Sequence, residues 1–137
     1  ETAEGPVLDI TENVRFTQRD IRNVQLAKSA VYAGIMTLLE RAGLTPDDVK
    51  RFYLAGGFGS YVDPASAAGI GLFPGAFTNR TRVLGNASLY GAAALLLDGD
   101  GIPVVEALAR AAKHVELASV PAFMDRYVEG LGFLEAE

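Results

Sequence analysis

The chain has 137 residues, 50% of them hydrophobic and 21% charged, which fits one globular domain with a real core better than two domains or a disordered segment. Its formal net charge is −5, and no Lys/Arg cluster appears, so nucleic-acid binding has little electrostatic support. It contains no cysteine, which excludes disulfides, thiolate catalysis and any cysteine-held zinc or iron–sulfur cluster from these residues.

No apolar stretch reaches the length of a bilayer span, and the start "ETAEGPVLDI" is acidic, unlike a secretory signal. The expectation is a cytoplasmic protein with no membrane partner. The first residue is Glu1 rather than Met, which reads as a fragment or a processed piece.

In chain order, "PVLDI" and "NVRF" within residues 1–16 read as short extended runs. Thr17 followed by Asp20 has the form of a capping box. Ile21, Val24, Ala27, Val31, Ile35, Leu38 and Ala42 then recur at helical spacing, so a long helix is predicted from Gln18 to Ala42, stopped by Gly43. "LTPDDV" restarts a helical turn at Thr45, and "RFYLA" (51–55) reads as a strand buried on both sides. Asp63 and Pro64 form a cap and first-turn pair for a short helix, "PASAAGIGL". A loop, "FPGAFTNR", leads to a second strand, "TRVL" (81–84). "GNASLYGAAALLL" reads as a helix capped by Asn86, with Gly91 and its alanines allowing close approach to the sheet. After a turn at 98–101, Pro103 opens a helix through Lys113, "HVEL" is predicted as a third strand, and "PAFMDRYVEGL" as a last helix. Strands alternating with helices give an α/β fold with parallel strands and right-handed crossovers.

The densest backbone freedom lies at "FYLAGGFGSYVDP", where a strand ends in Gly56 and Gly57, with Gly59 close behind. A second bend, Gly85-Asn86, follows the second strand. In open parallel sheets, ligands sit beyond the carboxyl ends of strands, and glycine lets a base, ribose or phosphate rest against the main chain. The same glycines would also serve a tight strand-to-helix turn. Neither stretch is a Walker A loop or a GxGxxG fingerprint, so composition leaves both readings open.

"FTQRDIRNVQLAKSAVYAGI", "LAGGFGSYVDPASAAGIGLFP" and "VLGNASLYGAAALLL" together resemble the C-terminal nucleotide-binding region of ATP-dependent reductive activators of corrinoid proteins. These are relatives of sugar kinases, heat-shock chaperones and actin, the ASKHA group. The resemblance runs from about Thr17 to the final "VELASVPAFMDRYVEGLGF". It implies a ribonuclease-H-like, actin-like ATPase lobe spanning residues 1–137, with 1–16 as an extended lead-in from an upstream lobe and an incomplete sheet in this piece. It further implies an adenosine motif at Gly56, Gly57 and Gly59, with Phe58 and Ser60 as neighbours, and a second nucleotide loop at Gly85 and Asn86. Gln25 and Lys28, three residues apart on the long helix, would present polar ends to the adenosine. On spacing alone, Lys28 reads instead as a surface lysine.

The implied cofactors are ATP or ADP with Mg2+, shared with an upstream lobe, and a [2Fe-2S] cluster elsewhere in the parent protein. The implied partner is the corrinoid protein of a methyltransferase system, whose Co(II) would be returned to Co(I). The Asp-x-Gly stretch that handles magnesium and the γ-phosphate in this superfamily has no counterpart here, and "DGD" at 98–100 falls in a turn after the nucleotide loops. This chain alone is therefore expected to hydrolyse ATP poorly or not at all. No cobalamin-binding Asp-x-His-x-x-Gly stretch is present. Competing readings are a protein-interaction or homodimerisation module, and a small-molecule kinase or dehydratase activator on the same fold; the missing cysteines count against the last.

Simpler roles are expected for other residues. Asp63 reads as a cap before a metal or water ligand, Asn86 equally as a cap or a phosphate contact, and the lone His114 as structural. Tyr53, Phe73, Phe77, Phe123, Tyr127 and Phe133 are expected to pack in the core.

Overall fold

The computed structural model describes residues 6–98 and 100–133, with the backbone alone at 58–60. The two opening runs form an antiparallel hairpin, β1 (Val7–Thr11) and β2 (Val14–Thr17), with Leu8 opposite Phe16 and a bulge between Asp9 and Thr11. The chain then enters α1 (Gln18–Arg41) through the predicted capping box. The Thr17 amide donates to Asp20 Oδ2 at 2.9 Å, and the Asp20 amide donates to Thr17 Oγ1 at 3.2 Å. Gly43, at φ +67°, turns the chain out of the helix, and the Leu44 amide donates back to the Leu39 carbonyl at 2.9 Å.

A 3-10 turn at Pro46–Asp48 repeats the capping chemistry, with the Thr45 amide donating to Asp48 Oδ2 at 2.8 Å. The Arg80 guanidinium clamps this turn from a distance in sequence. It donates to the carbonyls of Pro46, Asp47 and Val49 at 3.0, 3.1 and 2.9 Å.

The central layer is a parallel pair, β3 (Phe52–Ala55) and β4 (Thr81–Gly85), in which Phe52, Leu54 and Ala55 lie opposite Thr81, Val83 and Gly85. Between them the chain passes through α2 (Gly56–Tyr61), α3 (Pro64–Gly69) and a 3-10 turn at Gly75–Arg80. The crossover carries the core. Ala67, Leu72, Phe73 and Phe77 are buried, with Ile35, Leu39, Phe52, Leu54 and Val62 packed around them. The Phe52 ring centroid lies 5.0 Å from that of Phe73 and 4.8 Å from that of Phe77. β3 is thus covered on one face only. Tyr53 points away and is 50% exposed, so the expectation of a strand buried on both sides is corrected.

α4 (Ala87–Leu97) and α5 (Gly101–Ala111) follow, then a 3-10 turn at Leu117–Ser119 and α6 (Pro121–Glu129). Three more expectations are corrected here. α4 has no buried residue, and a Cβ at Gly91 would meet nothing within 4 Å, so its small residues do not serve approach to the sheet. α5 begins at Gly101, with Pro103 in its first turn, where a missing N–H costs no intrahelical bond. "HVEL" forms no strand; it runs as irregular chain into a 3-10 turn in which the Ser119 amide donates to the Glu116 carbonyl at 3.2 Å. Its β-like residues meet no neighbouring strand edge, and isolated propensity does not make a strand.

α6 returns to lie along α1, and the seam is polar. Ser29 Oγ donates to the Tyr127 carbonyl, and the Arg126 guanidinium donates to Thr37 Oγ1 at 3.2 Å and Glu40 Oε2 at 3.0 Å. Lys28 is the buried charge of the seam, only 3% exposed. Its ammonium donates to the Gly130 carbonyl at 2.8 Å and to the Gly132 carbonyl, and it lies 5.4 Å from the Phe133 ring centroid. A cation thus closes the carbonyl end of α6. The surface-lysine reading is overturned. Burial pushes this ammonium below its ordinary value, while the carbonyls and ring face favour the charged form.

Three outcomes follow from this packing. Phe77→Ala should lower the unfolding free energy in urea by about 3–5 kcal/mol, because the ring leaves a cavity between β3 and the crossover. Lys28→Met keeps the stem and strands two carbonyls; a loss of about 1–3 kcal/mol is expected in the same assay. Asp20, Asp48 and Asp63 are each held below the ordinary 3.8, Asp20 chiefly by the Thr17 hydroxyl and the others chiefly by the Thr45 and Ser66 amides. Their folded values are depressed, so each stabilises the fold above the ordinary value, and that contribution drains away as the pH falls below it. Circular dichroism should show acid destabilisation beginning below about pH 4, with a shallower slope in Asp20→Ala.

Candidate nucleotide-binding junction

The parallel register brings the two glycine bends side by side. Ala55 and Gly85 are paired at the carboxyl end of the sheet, so Gly56 leaves β3 immediately beside the point where β4 gives way to α4. Gly56 has φ +84° and Gly85 has φ +61°, left-handed conformations that a side chain strains. The tight-turn explanation therefore accounts for these two residues without any ligand.

Gly57 is different. It opens no left-handed turn, and a Cβ built on it would meet nothing within 4 Å. Among the described residues neither a positive φ nor a close neighbour of the Cβ position calls for glycine there, and glycine within a helix costs about 0.5–1 kcal/mol relative to alanine. The bare main chain at Gly57 faces open space at the sheet end. The junction itself is helical rather than a loop, because α2 begins at Gly56 and packs back against both β3 and β4. Phe58, Gly59 and Ser60 continue this helix, and their side chains lie outside the described residues.

Asn86 caps α4, with its Oδ1 accepting from the Leu89 amide at 3.1 Å. The cap uses the oxygen, so an anion at this bend would be met by the Nδ2 donors. Asp63 caps α3 in the same manner, with Oδ2 accepting from the Ser66 amide at 2.8 Å and the Ser66 hydroxyl at 2.7 Å.

Gln25 and Lys28 are not brought to one ligand position. Gln25 is half-buried and lines a cleft of about 370 Å³ with Pro6, Gln18, Ile21 and Arg22. Lys28 lines a different cavity, of about 490 Å³, between α1, the α3 exit and the end of α6, with Tyr32, Phe73, Arg126 and Phe133 in its walls. Neither lining includes Gly56, Gly57, Gly85 or Asn86. The cavity around Lys28 was not legible beforehand; the only local signal is Tyr32 one turn along the helix from Lys28.

Among the described residues, no group of His, Cys, Asp and Glu could hold a metal ion, and His114 is exposed. Among the described residues, no helix is long and apolar enough to cross a membrane. The junction thus presents the main chain of α2 and the Asn86 cap of α4 at the carboxyl end of the parallel pair.

Comparison with known proteins shows the family of the chain. The family model described as "C-terminal domain of RACo the ASKHA domain" matches residues 4–137. A corrinoid activation enzyme, RamQ, of Eubacterium limosum is 37% identical over 117 residues, covering 85% of this chain and 20% of its own length. The "[Co(II) methylated amine-specific corrinoid protein] reductase" of Methanosarcina barkeri is 30% identical over 131 residues, covering 94% of this chain and 23% of that protein. A solved "Reductive activator for corrinoid,iron-sulfur protein" superposes with a TM-score of 0.80 at 35% identity, over 87% of this chain and 19% of that one. The chain thus spans about a fifth of the length of the relatives it matches. It belongs to the family of RACo C-terminal domains, the ASKHA domain of reductive activators of corrinoid proteins.

Proposed function

We propose that this domain supplies the adenosine side of an ATP site in a longer reductive activator, which uses ATP to return a partner's Co(II) corrinoid to Co(I). The observation that carries the reading is Gly57: a bare stretch of main chain at a parallel-sheet end, required neither by its dihedrals nor by its neighbours. Adenine and ribose are flat enough to occupy the space a side chain would take.

In this reading Gly56 and Gly85 shape the bends, and Gly57 with the following α2 residues Phe58, Gly59 and Ser60 forms the platform. Asn86 orients the start of α4 beside it. Lys28 serves the α1–α6 seam and Gln25 the cleft near β1, so the platform depends on backbone rather than on those two side chains. ATP, when bound, supplies the free energy of hydrolysis. This reading assigns Mg2+ and the groups that handle the γ-phosphate to another part of the polypeptide, since the sequence offers no Asp-x-Gly stretch for them. A [2Fe-2S] cluster that delivers the electron likewise lies elsewhere, because this sequence has no cysteine. The names of the relatives support a corrinoid protein as partner. Nucleotide gripped between this domain and a preceding lobe would give the differential affinity on which any conformational coupling rests. Self-association of the domain is the second reading; the apolar surface left open on α4 and α5 favours it over a small-molecule kinase.

The test is calorimetric titration of Mg-ATP and Mg-ADP into this chain, into the longer polypeptide, and into the longer polypeptide carrying Gly57→Val. Binding should be weak or absent for the chain and clear for the longer polypeptide. The valine should cost at least about tenfold in affinity, or 1.4 kcal/mol, without loss of stability, because a Cβ at this position meets nothing within 4 Å and valine is a better helix former than glycine. Unchanged nucleotide affinity in Gly57→Val would remove the site from this junction.

A further inference from the structure

We infer that the α4–α5 hairpin is a docking surface, and that its occupant is a preceding lobe of the longer polypeptide rather than a second copy of this domain. α4, "ASLYGAAALLL", carries no charged residue on any face. A helix apolar all round belongs in an interior. Here Leu96 and Leu97 are 88% and 90% exposed, and Leu89 and Tyr90 also stand in the open. α5 continues the surface with Ile102, Val104, Val105 and Leu108, all exposed. The helices meet closely where they join, since a Cβ at Gly101 would lie 2.9 Å from Leu95 Cδ2. The hairpin is thus one continuous apolar patch of a kind that monomers rarely leave uncovered.

Two observations choose the occupant. The relatives are about five times the length of this chain, so ample polypeptide exists to cover the patch in cis. α4 also springs directly from Gly85 and Asn86, beside Ala55, so whatever covers it abuts the end of a two-stranded parallel pair that an upstream lobe of the same polypeptide could extend. The charges on α5 are spent within the helix, Arg110 lying 3.6 Å from Glu106, which leaves recognition to apolar burial. Docking should accordingly be insensitive to salt. This inference rests on the chain being part of a longer activator, but not on where nucleotide binds.

The experiment is hydrogen exchange on the longer polypeptide, read at the amides of α4 and α5, in the wild type, in Leu96→Glu/Leu97→Glu, and in Gly57→Val. The wild type should show slow exchange there, independent of protein concentration and salt. The double glutamate variant should exchange at least about tenfold faster in α4 and α5, with α1 and β3 unchanged as the folding control. Gly57→Val should leave the hairpin protected, whether or not it abolishes nucleotide binding. Fast exchange at α4 in the wild type would overturn the inference, and so would protection that grows with protein concentration, which would identify a second copy. If the double variant unfolds α1 as well, Leu97→Ser gives the same reading with a smaller disturbance, since that side chain stands 90% exposed.

Discussion

The parallel pairing of β3 with β4 is the constraint on which the rest of this domain depends. It sets Ala55 opposite Gly85 and so converts two bends, some thirty residues apart in sequence, into one shared edge. The pairing is itself held from below. Phe52 is clamped between Phe73 and Phe77, rings supplied by the crossover that links the strands. Arg80 fixes the far end of that crossover by three bonds to the turn at Pro46–Asp48. The apolar cluster and the guanidinium clamp therefore act on the same object, the relative position of two strand ends.

What the sequence made legible was what local chemistry determines. Thr17 with Asp20, Thr45 with Asp48, Asp63 and Asn86 were all readable as caps because each bonds within one turn of itself. The long α1 was readable because its apolar residues repeat at helical spacing over many turns. The parallel α/β layout followed from the alternation of elements, and the matched family and the superposed activator agree with it.

What was not legible depends on partners distant in sequence. Lys28 looked like a lysine for solvent or phosphate, yet its ammonium caps a helix about a hundred residues away. Nothing local to "QLAKS" encodes that. "HVEL" has the residues of a strand but no edge to join, and α4 has the small residues of a sheet-packing helix but no sheet beside it. Gln25 and Lys28 share a helix face on paper, yet they open into separate cavities, one bordered by Pro6 and the other by the end of α6. The glycine junction was legible as a special place, but its two explanations separated only with the backbone in hand. Gly56 and Gly85 answer to dihedral angles, whereas Gly57 has no positive φ and a Cβ there would meet nothing within 4 Å among the described residues.

The α1–α6 seam is closed by its own hydrogen bonds, whereas α4 and α5 keep apolar side chains exposed. In the proposed reading the nucleotide platform lies where that exposed side begins. The most direct measurement of this account is a crystal structure of the longer polypeptide with Mg-ADP. The account requires adenosine atoms within van der Waals reach of the Gly57 main chain, about 4 Å, beside the Gly85 bend. Nucleotide seated instead in the cavity around Lys28, Tyr32 and Phe133, with Gly57 still facing solvent, would contradict it.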